Sequence, residues 1–143
     1  MCIRDRSSYA SLEDILLNLS KLSVLENINS ITIFLDVKYI NFEEAIDNYR
    51  YPKLSKKLCL LASSSSKETS NEIDDMKHSV FSYFLMKGLK GDAYGDDKIL
   101  EIGELAEYLY RKIPDYTKNL ENGVLQNPEF IGSDLKRVLI DLR

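Results

Sequence analysis

Nucleophilic catalysis needs a thiolate, hydroxyl or amine held beside a base, and this chain offers few candidates. It contains two cysteines and one histidine in 143 residues. Cys59 lies within Leu58-Cys59-Leu60-Leu61-Ala62, an apolar run in which a thiol acts as a small hydrophobe with little thiolate character. His78, the single histidine, heads an amphipathic segment and reads as a helix-start packing or hydrogen-bonding residue rather than a general base. Lys38 stands in Leu35-Asp36-Val37-Lys38-Tyr39-Ile40-Asn41. A desolvated amine there would form Schiff bases, but no other residue indicates a carbonyl substrate. A solvated lysine, or one paired with Asp36 or Glu43, fits better. No catalytic residue is assigned.

Two polar stretches remain. Ser63 to Ser66, followed by Thr69-Ser70-Asn71-Glu72, suits binding of a peptide backbone through hydroxyls, or of a basic side chain through a carboxylate. A solvated polar loop is the competing reading. Asp92 to Glu104 is rich in acids, but Asp97 occupies the central glycine position of a calcium loop, Tyr94 replaces an oxygen ligand and Gly103 stands where the closing carboxylate belongs. A solvated turn is expected there. One histidine and two distant cysteines argue against a zinc site too, so no metal and no cofactor are expected.

The elements that position these residues follow from hydrophobic period. Ser11-x-x-Asp14 has capping-box spacing, and Leu12, Ile15, Leu16 and Leu19 form one helical stripe that ends at Asn27 to Ser30. Ile31-Thr32-Ile33-Phe34-Leu35 is β-branched and continuously apolar, as in a parallel strand covered on both faces. Phe42 to Arg50 is expected to be a short helix or ordered loop and Tyr51-Pro52-Lys53 a turn, before a second buried strand at Leu58 to Ala62. Val80, Phe81, Phe84, Leu85 and Leu89 predict a helix facing the sheet, with Gly88 near its end. Ile102, Leu105, Ala106, Leu109 and Ile113 predict another, stopped by Pro114. Tyr116 to Gln126 is expected to be a loop, and Leu135 to Leu142 a docked helix or strand. Strand–helix–strand alternation implies an α/β fold with a largely parallel sheet. Ligands in such sheets sit beyond the carboxyl ends of the strands, where Asp36 to Asn41 and Ser63 to Glu72 fall.

Composition narrows the partners. At 44% hydrophobic and 29% charged residues the chain is globular in type. A net charge of -4 with dispersed lysines argues against nucleic acid. No apolar run approaches the ~18 residues of a membrane span. Without a disulfide framework or signal-peptide pattern, a reducing cytoplasm is the expected compartment.

Several segments, taken in order, resemble one family. They are the strand and loop from Leu58 to Glu72, the stretch from Lys77-His78 to Gly91-Asp92-Ala93, Ile102-Gly103-Glu104-Leu105, and Gln126-Asn127-Pro128-Glu129-Phe130-Ile131-Gly132. The order is similar to the C-terminal part of a caspase-like cysteine peptidase domain of the bacterial, metacaspase-related kind. The resemblance implies a three-layer α/β/α sandwich with a mostly parallel sheet, incomplete at its N-terminus, over residues 7–143. It also implies relatives that hydrolyse peptide bonds with a His–Cys dyad. At Leu35-Asp36-x-x-Tyr39 the family pattern is kept, but Lys38 takes the nucleophile position and Ile40-Asn41 replaces a Ser-Gly turn. The family's histidine would fall about 50 residues before position 38, ahead of the first residue of this chain. The resemblance implies substrate binding at Asp36, Ser63, Ser64 and Glu72, with a peptide or protein as partner and a preference for basic side chains. A pseudopeptidase serving interaction or regulation is the alternative, and an unrelated doubly wound nucleotide-binding domain is disfavoured because Asp36 to Asn41 holds no glycine. Met1 to Arg6 resembles a translated sequencing adapter and is expected to be non-native. Without preceding strands, Ile31–Leu35 would present an open sheet edge prone to self-association.

Overall fold

The computed structural model describes residues 12–23, 27–36, 56–64, 72–73, 78–120, 124–132 and 134–143. Its most deeply buried strand is β2 (Leu58–Ala62), in which every residue is buried. An unbroken apolar run of this kind can sit only where both faces are covered. β2 pairs in parallel with β1 (Ile31–Leu35) in the register Ile31 to Leu58 through Leu35 to Ala62. The bounds of both strands match those expected from the sequence. On its other side β2 pairs antiparallel with β6 (Glu129–Ile131). The three-stranded sheet is therefore mixed, with order β1-β2-β6, and the expectation of parallel pairing holds for β1 and β2 alone among the described strands.

Side chains alternate along a strand, and the packing follows that alternation. On one face Leu16 and Leu19 of α1 (Leu12–Ser23) pack against Leu58, Ile31 and Ile33. On the other, Leu61 joins the main core cluster with Val80, Phe81 and Phe84 of α2 (Val80–Lys87) and Leu105, Leu109 and Ile113 of α3 (Ile102–Thr117), while Phe34 and Phe130 pack against its margin. Burial of each such leucine or phenylalanine stabilises the fold by about 1.5–3 kcal/mol. Phe84 also makes edge-to-face contacts with Tyr83, Tyr108 and Tyr116, the last at 5.6 Å between ring centroids.

Smaller elements complete the frame. β3 (Glu72–Ile73) and β4 (His78–Ser79) form an antiparallel pair directly before α2. A π-helical turn, Gly88–Asp92, follows α2. There Gly88 is buried so closely against α3 that a Cβ would lie 2.6 Å from Leu105 Cδ1. β5 (Ile99–Glu101) leads into α3 and pairs antiparallel with β7 (Val138–Asp141). The tail is thus a strand. No described helix is long and apolar enough to cross a membrane.

Some expectations are corrected. α3 runs through Pro114 to Thr117. The proline removes one hydrogen bond, to the carbonyl of the exposed Tyr110, and its own carbonyl accepts from Lys118 N at 3.1 Å to close the last turn. Residues 116 and 117, expected to be loop, are therefore helical. β1 is half-buried rather than covered throughout, because among the described residues it pairs on one side only. Ile15 of the expected apolar stripe is 37% exposed, and Leu16 takes the buried position. The Ser11 cap, the Phe42 to Arg50 segment and the Tyr51-Pro52-Lys53 turn lie outside the described residues, as do Met1 to Arg6.

Candidate functional site

The carboxyl ends of β1 and β2 meet the start of α2. Asp36, the residue after β1, is exposed, and both Ser79 Oγ and Ser82 Oγ donate hydrogen bonds to its Oδ2. Ser79 is the N-cap of α2 with extended backbone, and its hydroxyl also accepts from Ser82 N at 3.0 Å. One serine therefore caps the helix and grips the aspartate. The position suits a carboxylate, since helix N-termini carry partial positive charge. Two donors on one oxygen fix the rotation of the carboxylate and hold negative charge at the mouth of the two strands.

Ser63 continues β2 beside Asp36: its N–H donates to the Leu35 carbonyl at 2.8 Å. Its own carbonyl accepts from Nε2 of the buried Gln126 at 2.7 Å, and Gln126 N donates to Thr117 Oγ1 at 3.1 Å. This buried amide ties the return from α3 to the end of β2. Ser64 is 3% exposed, and its hydroxyl has no hydrogen-bond partner among the described residues. Leaving a buried hydroxyl unmatched costs about 1–3 kcal/mol. The backbone of Glu72 pairs with Ser79 in the β3–β4 register, which brings that segment beside the Asp36 clasp. Three of the four substrate-binding residues expected from the sequence, Asp36, Ser63 and Ser64, share one end of the sheet, and the Glu72 backbone joins them through Ser79. Lys38, Glu43 and residues 65–71 of the serine loop lie outside the described residues.

Ser79 and Ser82 were not identified from the sequence. Serine before the apolar pair Val80-Phe81 is an N-cap signal, yet its contact with Asp36 spans 43 residues of chain and has no local signature. His78 is exposed in β4, opposite Ile73.

Cys59 presents the opposite environment. It is fully buried in mid-strand, and its thiol points to the Asp134 carbonyl at 3.8 Å. Burial pushes its pKa above the ordinary thiol value, against a smaller lowering by the Arg137 guanidinium. Arg137, 9% exposed, donates from Nη1 to the Ile31 carbonyl at 3.0 Å and lies 3.6 Å from Asp134 Oδ2 through Nε. A neutral, enclosed thiol cannot serve as a nucleophile.

The acid-rich stretch after α2 is occupied in capping. Glu104 Oε2 accepts from Glu101 N at 2.9 Å and Asp97 Oδ1 from Ile99 N at 3.1 Å. Tyr108 OH donates to Asp92 Oδ2 at 3.3 Å, and burial, assisted by the Asp92 charge, pushes the phenol up to about 12. Among the described residues no three His, Cys, Asp or Glu side chains converge to hold a metal ion. Searches of family models, of curated proteins and of solved structures each found no match to this chain.

Proposed function

We propose that this chain is the C-terminal part of a caspase-like peptidase domain that no longer hydrolyses peptides and that binds a peptide segment across the carboxyl ends of β1 and β2. The observation that carries the reading is the Asp36 carboxylate, oriented by Ser79 and Ser82 at the strand mouth, two residues before Lys38 at the position where the resembling family has its cysteine. The parallel β1–β2 pair and the covering of the sheet by α1 on one face and by α2 and α3 on the other support the three-layer architecture of that family. The charge of Asp36 attracts an arginine or lysine side chain. Hydrolysis needs a thiolate, and the thiol of Cys59 is sealed inside β2.

Peptide binding without turnover is the property of an interaction or regulatory module, and the intact Asp36 clasp favours that second reading over a merely decayed enzyme. Fluorescence polarisation with an arginine-containing peptide tests both. Saturable binding by the full chain, weakened on the order of tenfold by Asp36→Asn, with no cleavage of the same peptide, is expected. Equal binding by the variant would remove the role given to Asp36. Cleavage abolished by Lys38→Ala would overturn the assignment as inactive.

A further inference from the structure

Residues 134–143 are held to the fold by backbone more than by apolar side chains. Leu135, Val138 and Leu142 are more than half exposed, Leu139 and Ile140 are half-buried, and Arg137 is the only buried residue of the segment. Its one enclosed side chain is therefore a cation. Nη1 of Arg137 donates to the Ile31 carbonyl at 3.0 Å, but the buried Nε has no hydrogen-bond partner and lies 3.6 Å from Asp134 Oδ2. A guanidinium taken from water without matching its donors weakens the docking it serves. The other ties are main-chain. Gly103 N donates to Leu135 O and Ile102 N to Arg137 O, each at 2.8 Å, Leu142 N donates to Lys98 O at 3.1 Å, and β7 pairs with β5. Water can replace the first two, because the N–H groups that open a helix have no intrahelical partner. Beneath this segment lies the Cys59 thiol, faced by Asp134 O at 3.8 Å. Few buried apolar contacts over many backbone bonds are the mark of a unit that opens locally.

We propose that residues 134–143 form a strap that opens as one unit, at a lower free energy than global unfolding, and that its opening uncovers the Cys59 thiol to small disulfides. Closure is keyed by Gly103. A Cβ there would lie 2.8 Å from Leu135 O and 3.3 Å from Leu135 Cβ, so the strap reaches α3 only where the helix has no side chain. When the strap lifts, the Arg137 guanidinium returns to water. β1 and β2 stay joined through their own register, and α3 keeps its internal cap, in which Glu104 Oε2 accepts from Glu101 N. The rest of the sheet and the helix start therefore survive the opening. The inference rests on the docking of this segment and does not depend on the peptidase reading.

Labelling of the full chain with dithiobis(nitrobenzoate) tests it, in Cys2→Ser so that Cys59 carries the only thiol. The Cys59 thiolate attacks one sulfur of the reagent, forming a mixed disulfide and releasing nitrothiobenzoate, whose colour gives the rate. Below the urea transition, labelling is expected to run at least about tenfold faster than global unfolding allows, with less than about half of its urea dependence. Gly103→Ala pushes on the strap without touching Cys59 and favours the helix that remains. It should speed labelling on the order of tenfold and lower the global unfolding free energy by less than that factor implies. Labelling that follows global unfolding in both rate and slope overturns the proposal, as does a folded Gly103→Ala chain labelled at an unaltered rate. Should Gly103→Ala fail to fold, the rate and slope of the Cys2→Ser chain decide alone.

Discussion

Asp36 and Cys59 lie on neighbouring, paired strands, yet their surroundings are opposed. Cys59 is level with Thr32 in the middle of the sheet, fully buried, its thiol directed at a backbone carbonyl. Asp36 lies just past the last rung, exposed, and held by two hydroxyls from a helix start. Strand interiors exclude water and suppress ionisation, while strand ends let a charged group be both solvated and oriented. Where on a strand a reactive side chain falls therefore decides its chemistry more than its type does. Here the thiol serves packing, and the carboxylate stays exposed while two serines orient it.

The largest effect that would break this contrast lies on the Cys59 side. Gly132 has φ 156°, and a Cβ there would meet Cys59 Sγ at 2.9 Å and Cys59 Cα at 3.2 Å. Gly132→Ala thus combines unfavourable backbone geometry with overpacking against a strand that cannot move. It should cost about 2–3 kcal/mol in urea unfolding. A loss below about 0.5 kcal/mol, the scatter of ordinary surface changes, would mean that the wall around Cys59 is loose, and the claim of a sealed thiol would fall with it.

On the Asp36 side the two serines should separate by role. Ser79→Ala removes an N-cap and a bond to Asp36 and is expected to cost about 1 kcal/mol. Ser82→Ala removes the second bond alone, between groups that water reaches, and should cost about 0.5 kcal/mol or less. Paired denaturation curves measure the difference. If Ser82→Ala proves the more damaging, the clasp, and not the helix cap, holds this end of the sheet together.

The contrast also marks how far the residues alone could be read. β1 and β2 were legible to the residue because each is a short, continuous apolar run, and Cys59 mid-run could be placed inside before any coordinates. The α2 stripe was legible for the same reason. β3 and β4, two residues each, and β5 and β6, three each, are too short to establish a period, and tertiary pairing alone defines them. Pro114 misled because a proline near a helix end forfeits a bond that water can replace. Ile15 misled because a stripe several residues wide does not say which member turns outward. The common position of Asp36, Ser63 and Ser64 at the carboxyl ends of β1 and β2 follows from the strand bounds, whereas the bonds of Ser79 and Ser82 to Asp36 depend on a contact across the fold.

The smallest expected effect is in pH, and it sharpens the same comparison. Burial holds the Cys59 pKa above its ordinary value in the folded chain, so the folded state keeps a proton that the unfolded state releases at lower pH. Above the ordinary thiol value of 9.0 the unfolded chain binds fewer protons than the folded one, and stability falls as pH rises. The contribution is fully present below that value and is lost as pH climbs toward the raised one. Tyr108, pushed up to about 12, adds a loss of the same sign starting from the ordinary tyrosine value of 10.0, so the thiol must be isolated by substitution. Urea unfolding of the unaltered chain and of Cys59→Ala, compared between pH 8 and 10, is expected to show the steeper decline in the unaltered chain. Parallel curves would mean that the thiol ionises as readily folded as unfolded, and the distinction drawn between the middle of the strand and its end would no longer hold.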